Sequence, residues 1–190
     1  HKSIERFMKS KLLLHSCCAP CSIYVLDQLA KDYDLSIFFY DPNIHPRLEY
    51  IQRRDEMKGY AQKIGVPFEE GEYNTAHWFA KTAGLENEPE KGKRCEVCFD
   101  IRLGETAKKA SKEKYDLWTT VMSISPHKDV SQINCIANKL VEQYGVKFLA
   151  TDWKKNEGFK IASHMSKQEN FYRQDYCGCV YSKLAREKVK

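Results

Sequence analysis

The chain is poor in glycine and proline, with nine Gly and six Pro in 190 residues. That scarcity excludes collagen-like and low-complexity architectures and argues for an ordinary folded chain. No apolar run approaches the ~20 residues of a membrane-spanning helix, and no apolar leader with a small-residue cleavage site is recognisable. These absences predict no membrane association and a cytoplasmic setting in which thiols stay reduced. Neither G-x-G-x-x-G nor G-x-x-x-x-G-K-[ST] occurs, which removes the usual dinucleotide and P-loop signals. A Ser-Gly-Gly-x-Asp-Ser pyrophosphate loop is also missing after the first predicted strand, where cysteines stand instead.

Charge is nearly balanced but unevenly placed. There are 31 Lys+Arg against 26 Asp+Glu, for a net charge of +5. Residues 153–190 hold nine basic and four acidic residues, so the whole excess belongs to this carboxyl-terminal segment. A basic end of this kind suits a polyanion such as a nucleic-acid backbone, and equally a solvated surface helix.

Strand-like apolar runs alternate with helix-like periodicity along the chain. Strands are predicted at Leu12–His15, Leu35–Tyr40, from Val66, at Leu117–Ile124 and at Val146–Ala150. Helices are predicted over 20–31, 47–64, 76–84, 95–111, 129–144, 159–169 and 181–189. The length suits a single α/β domain, residues 1–190: a doubly wound, Rossmann-like parallel sheet of about five strands with helices on both faces. A cysteine-rich carboxyl-terminal extension follows. Ligands of such folds bind beyond the carboxyl ends of the strands. Cys17-Cys18, Asp41, Ser125–His127 and Asp152 all fall just after predicted strands, which puts a site at that rim.

The eight cysteines are too few for a disulfide scaffold, yet seven of them are clustered. Cys17, Cys18 and Cys21 lie together, Cys95-x-x-Cys98 is a second group, and Cys177-Gly178-Cys179 is a third. Cys95 and Cys98 share a helix face, so both can reach one centre. Cys17 and Cys18 can converge only where the strand breaks into a turn. Four soft thiolates suit an iron–sulfur cluster or zinc. An adjacent pair fits a zinc knuckle poorly, and unrelated core cysteines are the third reading. A disulfide across Cys177-Gly178-Cys179 would close a small strained ring, the type that exchanges readily. Two more metal ligands, or an incidental tight turn, are the alternatives. Cys21 reads as a packed thiol or an extra ligand, and Cys135 as a core residue on the apolar side of its helix. His15 and His127 sit near the rim as candidate acids or as core imidazoles. Asp100, two residues after Cys98, is a candidate metal ligand or an exposed side chain.

Taken together, the motifs resemble the QueH family of epoxyqueuosine reductases. The matching pieces are Leu14–Ser22 (LHSCCAPCS), Asp41–Pro46 (DPNIHP), Arg94–Cys98 with Arg102-Leu103, Ser123–Lys128 (SISPHK) and Gln174–Ser182 (QDYCGCVYS). The resemblance spans residues 12–182. It implies a two-electron reductive deoxygenation that turns epoxyqueuosine at the tRNA wobble position into queuosine, without cobalamin. It implies that Cys17, Cys18, Cys95 and Cys98 bind a [4Fe–4S] cluster and that Cys177 and Cys179 form a redox-active disulfide. Asp100 and His127 are then candidate proton donors, and if one of the four thiolates instead holds an additional iron, Asp100 is its candidate co-ligand. The implied partners are tRNA carrying epoxyqueuosine in its anticodon and an unidentified electron donor. Lys167, Phe171, Tyr172, Arg173, Tyr176 and Tyr181 suit a flipped-out base and its phosphates, or fill core beneath the loop. The competing readings are a non-catalytic four-cysteine zinc protein that binds RNA, a tRNA thiolase, which would need an ATP loop, and a general thiol oxidoreductase.

Overall fold

The computed structural model describes residues 9–188. Five strands form one all-parallel sheet: β1 (Lys11–Ser16), β2 (Asp34–Phe39), β3 (Phe68–Glu70), β4 (Leu117–Thr120) and β5 (Lys147–Phe148). Their order is β3-β2-β1-β4-β5. The chain winds outward from β1 through β2 to β3, then returns to the other side of β1 for β4 and β5. The order therefore reverses between β1 and β4, which is where open α/β sheets leave a crevice for ligands.

Seven helices cover the two faces: α1 (Ala19–Leu29), α2 (Arg47–Ile64), α3 (Thr75–Thr82), α4 (Lys93–Lys112), α5 (Val130–Tyr144), α6 (Gly158–Gln168) and α7 (Val180–Glu187). Alternation along β1 divides the core. Leu12 and Leu14 face Val25, Leu26, Tyr50 and Met57 of α1 and α2. Leu13 faces the opposite layer, with Trp78, Phe99, Leu103 and Ile133 from α3, α4 and α5. Helix boundaries follow local chemistry. Pro20 suits the first turn of α1, and Gly65 (φ 70°) and Gly145 (φ 72°) end α2 and α5 in the left-handed conformation. Asp129 accepts a hydrogen bond from Ser131 N and starts α5.

Two predicted strands shorten in the fold. The run Leu117–Ile124 is strand only to Thr120, and Met122–Ile124 makes a single 3₁₀ turn. β5 pairs only with Leu117 and Trp118, so the ladder on that side stops early. Thr120 Oγ1 then accepts from Met122 N at 3.1 Å, and Ser123 Oγ donates to Thr151 O at 2.6 Å. This turn carries Ser125–Lys128 across the strand rim. The basic carboxyl-terminal segment packs α6 onto α1 through Gly158, Ala162 and Ser166, three small buried residues one turn apart. Residue 189, the end of the last predicted helix, lies outside the described residues.

Candidate redox site at the strand rim

At the end of β1 the chain turns sharply. Cys18 is extended (φ −174°, ψ 154°) and caps α1, so the adjacent thiols swing to the same side with their sulfurs 4.0 Å apart. Ser22 fixes the turn by donating to Cys18 O at 2.7 Å while sharing a 2.6 Å hydrogen bond with Ser16. Cys21, on the first turn of α1, joins them. Hydrogen bonds with Cys18 and Cys21 draw the Cys17 thiol well below its ordinary pKa, whereas the bond with Cys17 drives Cys18 up. Cys21 is pushed up to about 12 by its bond with Cys17. The first thiol group thus has three members, and Cys21 is no mere packing residue.

The second group opens α4. Lys91, itself at φ 69°, donates its N–H to Cys95 Sγ at 3.3 Å. Arg94 pins the preceding loop by donating to Leu85 O, Glu86 O and Glu88 O at 2.6–2.9 Å. Burial raises the pKa of both Cys95 and Cys98.

Two cations serve the thiol groups. Arg102, one turn beyond Cys98, is buried and meets Asp41 Oδ1 at 2.6 Å from Nη2. Burial works against its charge, but Asp41, then Cys98 and Cys17, outweigh it and hold the guanidinium firmly protonated. His15 approaches the same carboxylate oxygen at 3.6 Å and shares a 2.9 Å hydrogen bond with Thr120. Lys128 likewise faces Cys17, Cys21 and Cys177. Those thiols outweigh its desolvation and raise its pKa. Arg102 and Lys128 stood inside recognisable motifs, yet sequence reasoning gave neither a role.

The third group closes over the other two. Cys177 and Cys179 are free thiols with sulfurs 3.7 Å apart. Gly178 between them sits at φ 122°, and a Cβ there would come within 2.9 Å of the Ile44 side chain, so conformation and space both require glycine. Arg53 holds the loop by donating to Tyr176 O and Cys177 O, each at 3.2 Å. His45 N donates to Gly178 O at 2.7 Å. Cys179 caps α7, accepting from Ser182 N at 3.3 Å. The hydrogen bond with Cys179, helped by the Lys128 charge, lowers Cys177 to about 5 despite its burial. Gln174, on the same loop, donates to Cys18 Sγ at 3.0 Å and so links the third group to the first.

Two adjoining hollows result. The larger, about 240 Å³, is lined by Cys17, Cys21, Phe159, Arg173, Gln174 and Cys177 among others. The smaller, about 30 Å³, is lined by Cys95, Cys98, Arg102, Cys177 and Cys179 among others. Cys177, His127, Lys128 and Glu90 line both. All the clustered cysteines except Cys18 therefore face this pair of hollows, and Cys18 lies bonded to Cys17 beneath them.

The chain matches the family model described as Epoxyqueuosine reductase QueH over residues 12–185. It belongs to the QueH family. The Epoxyqueuosine reductase QueH of Haemophilus influenzae is 44% identical over 175 residues, covering 91% of this chain and 71% of the relative. That of Histophilus somni is 43% identical over 175 residues, covering 91% and 72%. That of Acinetobacter baylyi is 44% identical over 174 residues, covering 90% and 80%. Among solved structures, the U34-tRNA thiolase NcsA from Methanococcus maripaludis with its [4Fe-4S] cluster superposes with a TM-score of 0.61. Its identity is 12%, over 95% of this chain and 65% of that one, so the likeness shows the α/β fold alone.

Three expectations need correcting. Asp100 is exposed and lines an outer groove with Val97, Cys135 and Lys139, because two residues beyond Cys98 is about 200° around the helix. It joins neither hollow. Cys135 is exposed rather than core, since Ile133, Ile136, Ala137 and Leu140 occupy the buried face of α5. The aromatic residues beside the C-x-C loop are mostly structural. Phe171 packs edge-on against Tyr60 at 5.2 Å, and Tyr172 donates to Glu49 at 3.0 Å. Tyr176 donates to His45 O at 2.5 Å, and Tyr181 stacks on Trp78 at 6.1 Å. Lys167 is exposed on the last turn of α6, and of the nominated residues Arg173 and the buried Tyr176 line the larger hollow.

Proposed function

We propose that this chain is an epoxyqueuosine reductase that removes the epoxide oxygen from epoxyqueuosine in the tRNA anticodon and leaves queuosine. Family membership over residues 12–185 supports the activity. The observation that carries the chemistry is the convergence of three cysteine groups around Arg102 and Lys128 at the β1/β4 switch point. No helix among the described residues is long and apolar enough to cross a membrane, and a cytoplasmic enzyme acting on tRNA fits that observation.

The donor set suits a [4Fe–4S] cluster. The available groups are buried thiols, the softest ligands in a protein, and two cations lie beside them to offset an anionic cluster. Cys17, Cys18, Cys95 and Cys98 would hold the cluster. The chemistry it supplies when bound is electron transfer and a Lewis-acidic metal.

The chain's own residues supply the rest. Taking an epoxide oxygen away as water consumes two electrons and two protons, and closing the Cys177–Cys179 dithiol to a disulfide releases the same numbers. Cys177 faces both hollows and is the more acidic thiol of the pair, so it is the reacting member. Cys179, tied to the start of α7, completes the disulfide. His127 lines the hollows at their exposed edge and delivers a proton to the departing oxygen. Arg102, held by Asp41, and Lys128 offset the charge of the anionic thiols without taking part in bond changes. A reductant outside the chain then reopens the disulfide.

Anaerobic incubation with epoxyqueuosine-containing tRNA and a chemical reductant, followed by nucleoside mass spectrometry, tests the activity. Loss of one oxygen from the modified nucleoside is expected, and an unchanged nucleoside overturns the assignment. Iron and sulfide counts after anaerobic reconstitution test the ligands. Full cluster content in Cys95→Ala would remove Cys95 from the set.

A further inference from the structure

The aromatic residue that would touch the anticodon is not among those nearest the C-x-C loop in sequence. Among the Phe, Tyr and Trp residues that line the larger hollow, one ring is open to solvent at its rim, that of Phe159 on the first turn of α6. Its residue is 42% exposed, whereas Tyr176, the other aromatic lining residue, is 8% exposed. Phe159 does not hold α6 in place. Gly158, Ala162 and Ser166 are the buried residues of that helix.

The backbone leading into this position is strained. Asn156 (φ 54°) and Glu157 (φ 59°) are consecutive non-glycine residues in the left-handed region. Non-glycine residues held in this region are strained and cluster at functional sites. Gly158 follows, and a Cβ there would clash with Trp153 O and meet the Tyr24 ring at 3.0 Å. Three successive positions thus accept strain or close approach, and their combined result is to seat Phe159 at the mouth of the hollow. One turn further along α6, Ser163 Oγ accepts from Arg173 Nη1 at 2.6 Å, holding a guanidinium beside the ring. Phe159, Ser163 and Arg173 all line the hollow that also contains Cys17 and Cys177.

We infer that Phe159 is the stacking platform for a nucleobase of the tRNA substrate, and that Arg173 binds the phosphate next to it. Every nucleobase has a π-face, and an exposed ring at a pocket mouth beside a positioned cation is the arrangement that captures an unpaired base and its backbone. This inference rests on the reading of the chain as a tRNA-acting reductase and adds which residues hold the substrate.

The test compares anaerobically reconstituted wild type with Phe159→Ala, Phe159→Trp and Arg173→Ala. It measures both steady-state reduction and equilibrium binding of the epoxyqueuosine-containing anticodon stem-loop. Loss of one base stack predicts a Kd and KM for Phe159→Ala raised by about tenfold to a hundredfold. Its melting temperature and iron content should be unchanged because the ring is exposed. Phe159→Trp should restore binding. Arg173→Ala should weaken binding and reduce the slope of log affinity against log salt by about one. Kd and KM within twofold of wild type in Phe159→Ala would overturn the inference. Wild-type protein that binds the stem-loop without reducing it would instead overturn the reductase reading, and the affinity comparison would still decide the platform.

Discussion

Replacing Arg102 by Met should destabilise the protein far more than a typical substitution, and a second change should repair most of the damage. The Arg102 and Asp41 side chains are 2% and 0% exposed, and their charged atoms lie 2.6 Å apart. Beyond this ion pair, neither Asp41 oxygen has a hydrogen-bond partner among the described residues. Removing the guanidinium leaves a buried carboxylate whose nearest remaining ionisable neighbour, His15, is 3.6 Å away. Breaking a buried pair in this way costs roughly 3–5 kcal/mol, most of it the stranded charge rather than the lost attraction. For a chain of this size each kcal/mol lowers Tm by about 2–4 °C, which gives a fall of roughly 6–20 °C. Asp41→Asn in the same chain removes the stranded charge, so the double variant should recover more than half of the loss. Anaerobic thermal unfolding of the wild type, both single variants and the double variant gives the coupling directly. A fall below about 3 °C in Arg102→Met, or simple additivity in the double variant, would refute the argument.

Other consequences concern the thiols. Cys177 is lowered to about 5 from an ordinary 9.0, so its thiolate is present from about pH 5 upward and vanishes only as pH falls through that value. Its alkylation by iodoacetamide, followed by peptide mass spectrometry, should be half-maximal near pH 5, and Lys128→Met should move that midpoint upward. A midpoint near 9 would contradict the geometry. Gln174→Leu removes the N–H donated to Cys18 Sγ. If Cys18 holds the proposed cluster, a donated N–H to its sulfur stabilises the more negative reduced form, so the potential should become more negative. An unshifted potential in an EPR-monitored titration would show that the bond is absent in the loaded protein. Asp100→Asn and Cys135→Ser lie on the outer groove and should leave iron content and turnover within twofold of wild type.

Most of the fold is readable from periodicity and punctuation. Leu12–Leu14 and Leu35–Phe39 carry the short apolar runs of doubly covered strands, and Gly65 and Gly145 mark where helices stop. The overlong β4 has a physical cause: Leu117–Ile124 is mostly buried as strand and as turn alike, so burial pattern cannot show that the ladder with β1 ends at Thr120. The cysteine groupings are legible because spacing limits which thiols can meet. Helix phase excludes Asp100 from the face of Cys98, and the same rule brings Arg102, four residues on, to that face. That positional signal was available. Lys128 carries no such signal, since a turn rather than a helix or strand delivers it to the hollows. Phe159 lies 18 residues before Cys177, and only the packing of α6 on α1 brings the two to one hollow. Conversely, Phe171 and Tyr176 are near the cysteines in sequence yet are committed to packing and to a backbone hydrogen bond.

A single-turnover experiment tests the central claim most directly. Reconstituted protein is fully reduced, freed of excess reductant under anaerobic conditions and mixed with epoxyqueuosine-containing tRNA. Queuosine formed and Cys177–Cys179 disulfide formed are then both counted by mass spectrometry. Queuosine and disulfide should form in equal amounts, and Cys177→Ser should form no queuosine at unchanged iron content. Queuosine formed at the wild-type rate by Cys177→Ser, or formed with both thiols still reduced, would contradict the claim.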